Sequence, residues 1–73
     1  EMIGKTAEVV NVIKHGTKGE ILYEHGGVQH SAPAQTVGGE TVRQGEIVRI
    51  VDVTSGTFIV EKVGKEREKT LLA

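Results

Sequence analysis

The sequence predicts an all-β domain, a five-stranded β-barrel that is closed or partly open. Residues branched at Cβ are frequent: the 73 residues include eleven valines, six isoleucines and seven threonines, against three leucines. Such side chains suit the pleated surface of a sheet and lose χ1 freedom in a helix. Ten glycines recur at short intervals, which is typical of short strands joined by tight turns. We expect one barrel domain over residues 1–63 and a charged, flexible tail over residues 64–73.

Three strands are predicted in the first half of the chain, over residues 5–13, 18–24 and 28–34. His15-Gly16 follows the first strand and His25-Gly26-Gly27 follows the second. Both are turn signals, because glycine reaches positive φ without strain. Pro33 has no amide proton to give to a neighbouring strand. The third strand should therefore lie at an edge of the sheet or end at this proline.

Two more strands are predicted in the second half, over residues 46–53 and 57–63. Thr54-Ser55-Gly56 lies between them and indicates a hairpin turn. Residues 35–45 contain Gly38-Gly39 and show no clear period, so we expect a loop with at most one helical turn there.

The fourth strand changes phase in its middle. Val48 and Ile50 share one phase of the alternation, whereas Val51 and Val53 share the opposite phase. A β-bulge between Ile50 and Val51 would keep both apolar pairs facing the core while it bends the strand. Strongly bent strands are what allows a sheet of five strands to close into a barrel.

Charge and aromatic content limit the classes of function. The chain has 9 basic and 10 acidic residues, and residues 1–63 have 6 basic and 8 acidic residues. Proteins that bind phosphate backbones need a basic surplus. Single-stranded nucleic acid also needs exposed aromatic rings on which bases stack, and the aromatic residues here are Tyr23, expected to be half-buried, and Phe58, expected in the core. Binding of single-stranded nucleic acid is therefore kept as the alternative function only.

The residues available for metal binding or catalysis form no known pattern. His15, His25 and His30 have a spacing that matches no zinc signature, and the chain has no cysteine. Solvent-exposed turn histidines are the favoured interpretation. A serine nucleophile would need an adjacent base, but Ser31 and its neighbour His30 point to opposite faces of a strand, and Ser55 is explained by its turn. The sequence predicts no catalytic, metal or cofactor site, and no enzyme.

A surface patch for protein interaction is the one site that the residues indicate. Leu22 lies between Glu20 and Glu24 on the face of the second strand opposite the core, and the central loop adds Val37 and Val42. An apolar residue rimmed by charge is typical of a docking surface. We predict that these five residues form the patch, and that Leu22→Asp abolishes partner binding without unfolding the domain.

A chain-long succession of residues carries a family resemblance. It consists of Gly4-Lys5-Thr6, Gly19-Glu20-Ile21, Tyr23, Gly27, Ala32, Val42-Arg43-Gln44-Gly45, Val48, Ile50-Val51, Val53, Gly56, Phe58 and Val60-Glu61. This succession covers roughly residues 2–63 and resembles the soluble carboxy-terminal domain of short membrane proteins of the NfeD family. Two departures are Ser31, where many members have an acidic residue, and His15-Gly16 in place of a common proline.

The resemblance implies an OB-fold barrel that follows membrane-spanning helices. Genes of this family lie beside genes for flotillin- or stomatin-type proteins, which implies that the parent protein works with such a scaffold in membrane organisation. Longer members carry a separate serine-protease domain, to which nothing in this sequence corresponds. No apolar run here is long enough to span a bilayer, and the chain begins with Glu1, so we expect a soluble portion of a multi-pass cell-membrane protein. The lack of cysteine favours its cytoplasmic side.

Overall fold

The computed structural model describes residues 2–63, which form five strands. The strands are β1 (Thr6–Asn11), β2 (Gly19–His25), β3 (Val28–Thr36), β4 (Ile47–Thr54) and β5 (Thr57–Lys62). The predicted number of strands and their positions along the chain are confirmed, and each strand end lies within two residues of its predicted position. The predicted tail at residues 64–73 lies outside the described part of the chain.

The strands form a closed barrel in the order β1-β2-β3-β5-β4, with β4 pairing back to β1. Neighbouring strands are antiparallel except β3 and β5, which are parallel. This arrangement confirms the predicted all-β barrel of the OB-fold type. Because the strand directions alternate, the β2–β3 and β4–β5 turns lie at the same end of the barrel as residues 2–5. The β1–β2 and β3–β4 connections lie at the other end.

The core is formed by inward-facing apolar side chains of all five strands and of the loops at the barrel end. Its members are Ala7, Val9, Ile13, Ile21, Ala34, Val42, Val48, Ile50, Phe58 and Val60. The alternation in β1 and β4 follows directly from the pleat, since every second side chain points to the inside. Burial of these side chains is the main stabilising contribution in a domain of this size.

The predicted bulge in β4 is confirmed. The register with β5 shifts between Ile50 and Asp52, so Val51 is the extra residue. Val53 lies opposite the core residue Phe58 and therefore has the predicted inward direction, but it is 40% exposed and Val51 is half-buried, so the second pair is not part of the core. The exposure of Val53 follows from its place near the hairpin turn, beyond residues 47–49 of β4, which pair with β1.

The turns predicted at His25-Gly26-Gly27 and Thr54-Ser55-Gly56 are present, and each is a two-residue hairpin turn. Gly26 and Gly27 have φ of 63° and 80°, and Ser55 and Gly56 have φ of 50° and 79°. Positive φ at both central residues is what type I′ turns require, and these turns match the twist of the flanking strands. The turns fix the registers in which His25 pairs with Val28 and Thr54 pairs with Thr57.

Pro33 lies at a free edge, as predicted, but the strand does not end there. β3 pairs with β2 over its first seven residues and with β5 only from Ala34 onward. The missing amide proton of Pro33 therefore costs no hydrogen bond between β3 and β5.

Candidate functional site

The predicted site residue Leu22 lies on the outer surface of the barrel. Its chain neighbour Ile21 is fully buried and Tyr23 packs against the core, so Leu22 points outward and is half-buried. In the sheet, Leu22 lies opposite Glu8 of β1 and Ser31 of β3. Glu20 and Glu24, two residues away on the same strand, share its face.

The outer face continues across β1 to β4. Glu8 pairs with Leu22 on one side and with Ile47 on the other, and Ile47 is 46% exposed. Residues that are directly opposite in antiparallel strands have Cβ atoms about 4.5–5.5 Å apart. Two apolar side chains therefore flank one carboxylate. We use the name Leu22 face for Glu8, Glu20, Leu22, Glu24 and Ile47.

The carboxylates of the Leu22 face are not neutralised within residues 2–63. The ion pair in this part of the chain joins Arg49 Nη1 and Glu61 Oε2 at 3.2 Å; Arg49 lies two residues after Ile47 on the outer side of β4, and its partner is not one of the carboxylates of the face. Glu20 Oε1 accepts a hydrogen bond of 2.8 Å from Asn11 Nδ2. This bond orients the carboxylate but does not neutralise its negative charge. The face therefore presents a negative potential around Leu22 and Ile47.

Two of the five predicted patch residues do not join this surface. The surface position predicted for Val42 is wrong: its side chain is fully buried. The Val42 N–H donates to the carbonyl of Ile13 and the Val42 carbonyl accepts from the Ile13 N–H, both at 2.9 Å, which fixes this residue over the end of the barrel. Val37 is 61% exposed, but it is remote from Leu22. It lies six residues beyond Ser31, the residue of β3 opposite Leu22, and six residues of extended strand span about 20 Å.

Glu8 and Ile47 were not predicted as parts of the site. The alternation in their own strands indicates that both point outward. Only the pairing of β1 with β2 and β4 brings them beside Leu22, and pairing partners cannot be read from one strand alone.

The histidines and aromatic residues occupy other parts of the surface. His15, His25 and His30 are exposed, as predicted, and Phe58 is in the core. The half-buried Tyr23 ring stacks on Phe58 with ring centres 5.1 Å apart and on His30 with ring centres 5.4 Å apart. Within residues 2–63 no group of three or more potential metal ligands comes together, and there is no helix long and apolar enough to cross a membrane.

The solved structures that are similar to this chain include three domains. The soluble domain of the NfeD protein YuaF from Bacillus subtilis has a TM-score of 0.72 and 23% identity, covering 82% of this chain and 71% of that chain. The soluble domain of a membrane protein implicated in regulation of membrane protease activity, from Corynebacterium glutamicum, has a TM-score of 0.69 and 26% identity, covering 86% and 94%. No protein-family model and no curated protein sequence matches the chain.

The third structure shares more of the sequence. It is the C-terminal domain of the stomatin operon partner protein 1510-C from Pyrococcus horikoshii, with a TM-score of 0.68. Its identity with this chain is 30%, over 88% of this chain and 91% of that domain. Since this identity extends over nearly the whole barrel, the chain belongs to the NfeD family, in which it corresponds to the soluble or carboxy-terminal domains of the three similar structures.

Proposed function

We propose that this domain is a non-catalytic protein-interaction module of a membrane-anchored NfeD protein, and that its Leu22 face binds a stomatin- or flotillin-type scaffold. The observation that supports this most is the placement of the half-buried Leu22 and the exposed Ile47 among three carboxylates that form no ion pair within residues 2–63. The Pyrococcus horikoshii relative, named as a stomatin operon partner, indicates the class of partner. In this proposal the parent protein is a multi-pass protein of the cell membrane and the domain lies on its cytoplasmic side.

The chemistry of the face defines what the partner must present. Leu22 and Ile47 would supply apolar contact at the centre, and charged groups at a rim guide the approach of a complementary surface. A segment with one or two apolar side chains flanked by lysine or arginine is complementary to this arrangement. Because exposed charges are screened by salt, the association rate should fall as ionic strength rises.

Substitution of Leu22 by aspartate is expected to weaken partner binding at least tenfold. The change removes the central apolar contact and adds a fourth carboxylate to a face that already has three. Leu22 is on the outer wall, so the barrel should stay folded. The measurement is an NMR amide-shift titration of the labelled domain with the soluble region of a stomatin-type protein from the same genome, with shifts expected on the outer face of β1, β2 and β4.

Two control variants make this test specific. Val37→Asp places the same charge on an exposed valine that is remote from the Leu22 face, and it should leave the affinity unchanged. Leu22→Gln removes the apolar contact without adding charge and should still weaken binding. Equal affinities for the Leu22→Asp variant and the unsubstituted domain would rule out this face as the docking surface.

The alternative function, binding of single-stranded nucleic acid, has less support. The one tyrosine already stacks on Phe58 and His30, and stacking of bases requires free rings. Titration with a short oligonucleotide at micromolar concentration should therefore give no shifts. Salt-sensitive binding in that titration would favour the alternative over the interaction module.

A further inference from the structure

The β2–β3 hairpin brings two histidines together near its turn. His25 pairs with Val28, and Tyr23 pairs with His30, so His25 and His30 are diagonal neighbours. They lie on the same side of the hairpin, because His25 is two residues after Tyr23 on β2 and His30 lies directly opposite Tyr23. Their ring centres are 6.4 Å apart and the rings are tilted by 56°.

We propose that His25 and His30 together chelate a divalent transition-metal ion of the Zn²⁺ class. Imidazole nitrogen is a preferred ligand of Zn²⁺, Ni²⁺ and Cu²⁺. With Zn–N distances of about 2.0–2.1 Å, two imidazoles on one tetrahedral ion have ring centres about 5 Å apart. The observed separation has to close by about 1 Å, which small side-chain rotations of two exposed residues supply.

The hairpin restricts the relative positions of His25 and His30 before a metal ion binds. The type I′ turn at Gly26 and Gly27 fixes the register of the strands, and the ring of His30 rests against Tyr23 at an angle of 23°. A pair of ligands on a tight turn loses less conformational freedom on binding than two side chains on separate loops.

This site differs from a closed structural zinc site. The described residues bring no third histidine, cysteine or carboxylate to the pair, so the remaining coordination positions are left to water or to donors from another molecule. Exchangeable binding is expected, with a single ion per domain. The site lies at the end of the barrel that contains residues 2–5, on a different surface from the Leu22 face.

His15 provides a matched control within the same chain. It is also an exposed histidine next to a turn, but its Nδ1 lies 3.3 Å from the carbonyl oxygen of Gly39 and it is at the opposite end of the barrel. A histidine with this placement binds zinc alone and therefore weakly.

The test is a Zn²⁺ titration of the full chain, followed by NMR of the histidine ring signals and by fluorescence. Tyr23 is the one tyrosine and the chain has no tryptophan, so the intrinsic fluorescence reports on the ring that His30 contacts. The ring signals of His25 and His30 should shift together and saturate at one ion per domain. His25→Asn and His30→Asn should each lower the affinity at least tenfold, and His15→Asn should leave it unchanged.

Several results would overturn the proposal. Independent, weak shifts of all three histidines would show single-ligand binding without chelation, as would an equal loss of affinity in the His15→Asn variant. An unchanged affinity in either the His25→Asn or the His30→Asn variant would remove that residue as a ligand. Because both side chains are exposed, a circular-dichroism melt of each variant should match that of the unsubstituted domain and exclude unfolding as the cause.

Discussion

Replacement of Gly19 by alanine is expected to destabilise the domain by about 3 kcal/mol or more. A Cβ at this position would lie 2.5 Å from the carbonyl oxygens of both Asn11 and Val12 and 2.6 Å from Cγ1 of Ile13. Two of these atoms belong to the backbone, which cannot move aside as a flexible side chain does. The β1–β2 register shifts just before this point, between Val9 and Asn11, and only glycine permits so close an approach of the two segments.

The size of this effect is large relative to the whole stability of such a domain. At about 0.05–0.15 kcal/mol per residue, a 62-residue barrel has a free energy of unfolding of about 3–9 kcal/mol. The urea midpoint, followed by circular dichroism, should therefore fall by a third of its value or more, or the variant should be unfolded in buffer.

Gly38→Ala is the matched control. A Cβ there would meet only Oε1 of Glu40, at 3.6 Å, and the φ of Gly38 is outside the positive region. This substitution should leave stability unchanged or raise it by up to about 1 kcal/mol, since alanine reduces the freedom of the unfolded chain. Similar urea midpoints for the Gly19→Ala and Gly38→Ala variants would contradict the close approach at Gly19.

The features that sequence predicted well depend on residues that are adjacent in the chain. Gly26-Gly27 and Ser55-Gly56 are compatible with positive φ at both turn positions, and this preference is a property of the residues themselves. The phase change between Ile50 and Val51 likewise indicated the bulge. Such local chemistry places turns, strands and bulges to within one or two residues.

Features that depend on pairing between distant strands were predicted less well. The alternation after the bulge indicated that Val53 faces the core, but it could not show that this residue lies beyond the part of β4 that pairs with β1. Val42 stands in a glycine-rich loop without a period, and it is fixed over the end of the barrel by two hydrogen bonds to Ile13, 29 positions earlier in the sequence.

The candidate site shows the same division. The outward direction of Leu22, Glu20 and Glu24 follows from alternation within one strand. Glu8 and Ile47 complete the face only through the pairing of β1 with β2 and β4. Alternation within one strand therefore indicates the centre of the surface and not the part that neighbouring strands contribute.

Ile50→Ala is expected to cost about 2–5 kcal/mol of unfolding free energy. Ile50 is fully buried and is the last inward residue before the bulge. Its carbonyl accepts a hydrogen bond of 2.7 Å from the N–H of Gly4, and its own N–H donates to the carbonyl of Lys5 at 2.8 Å. These bonds hold the backbone in place, so the core cannot collapse freely into the space that the deleted side-chain atoms leave, and a cavity remains.

Ile47→Ala, three residues earlier on the same strand, separates the core from the proposed docking face. Ile47 is 46% exposed on the outer side, so its truncation should cost less than about 1 kcal/mol, while it removes one of the two apolar contacts of the Leu22 face. Urea denaturation and the partner titration of both variants should give opposite rankings. Ile50→Ala should lower stability and keep the affinity of the folded fraction, and Ile47→Ala should keep stability and lower affinity. If neither variant loses affinity, Ile47 is part of the barrel wall only, and the docking face is restricted to β2.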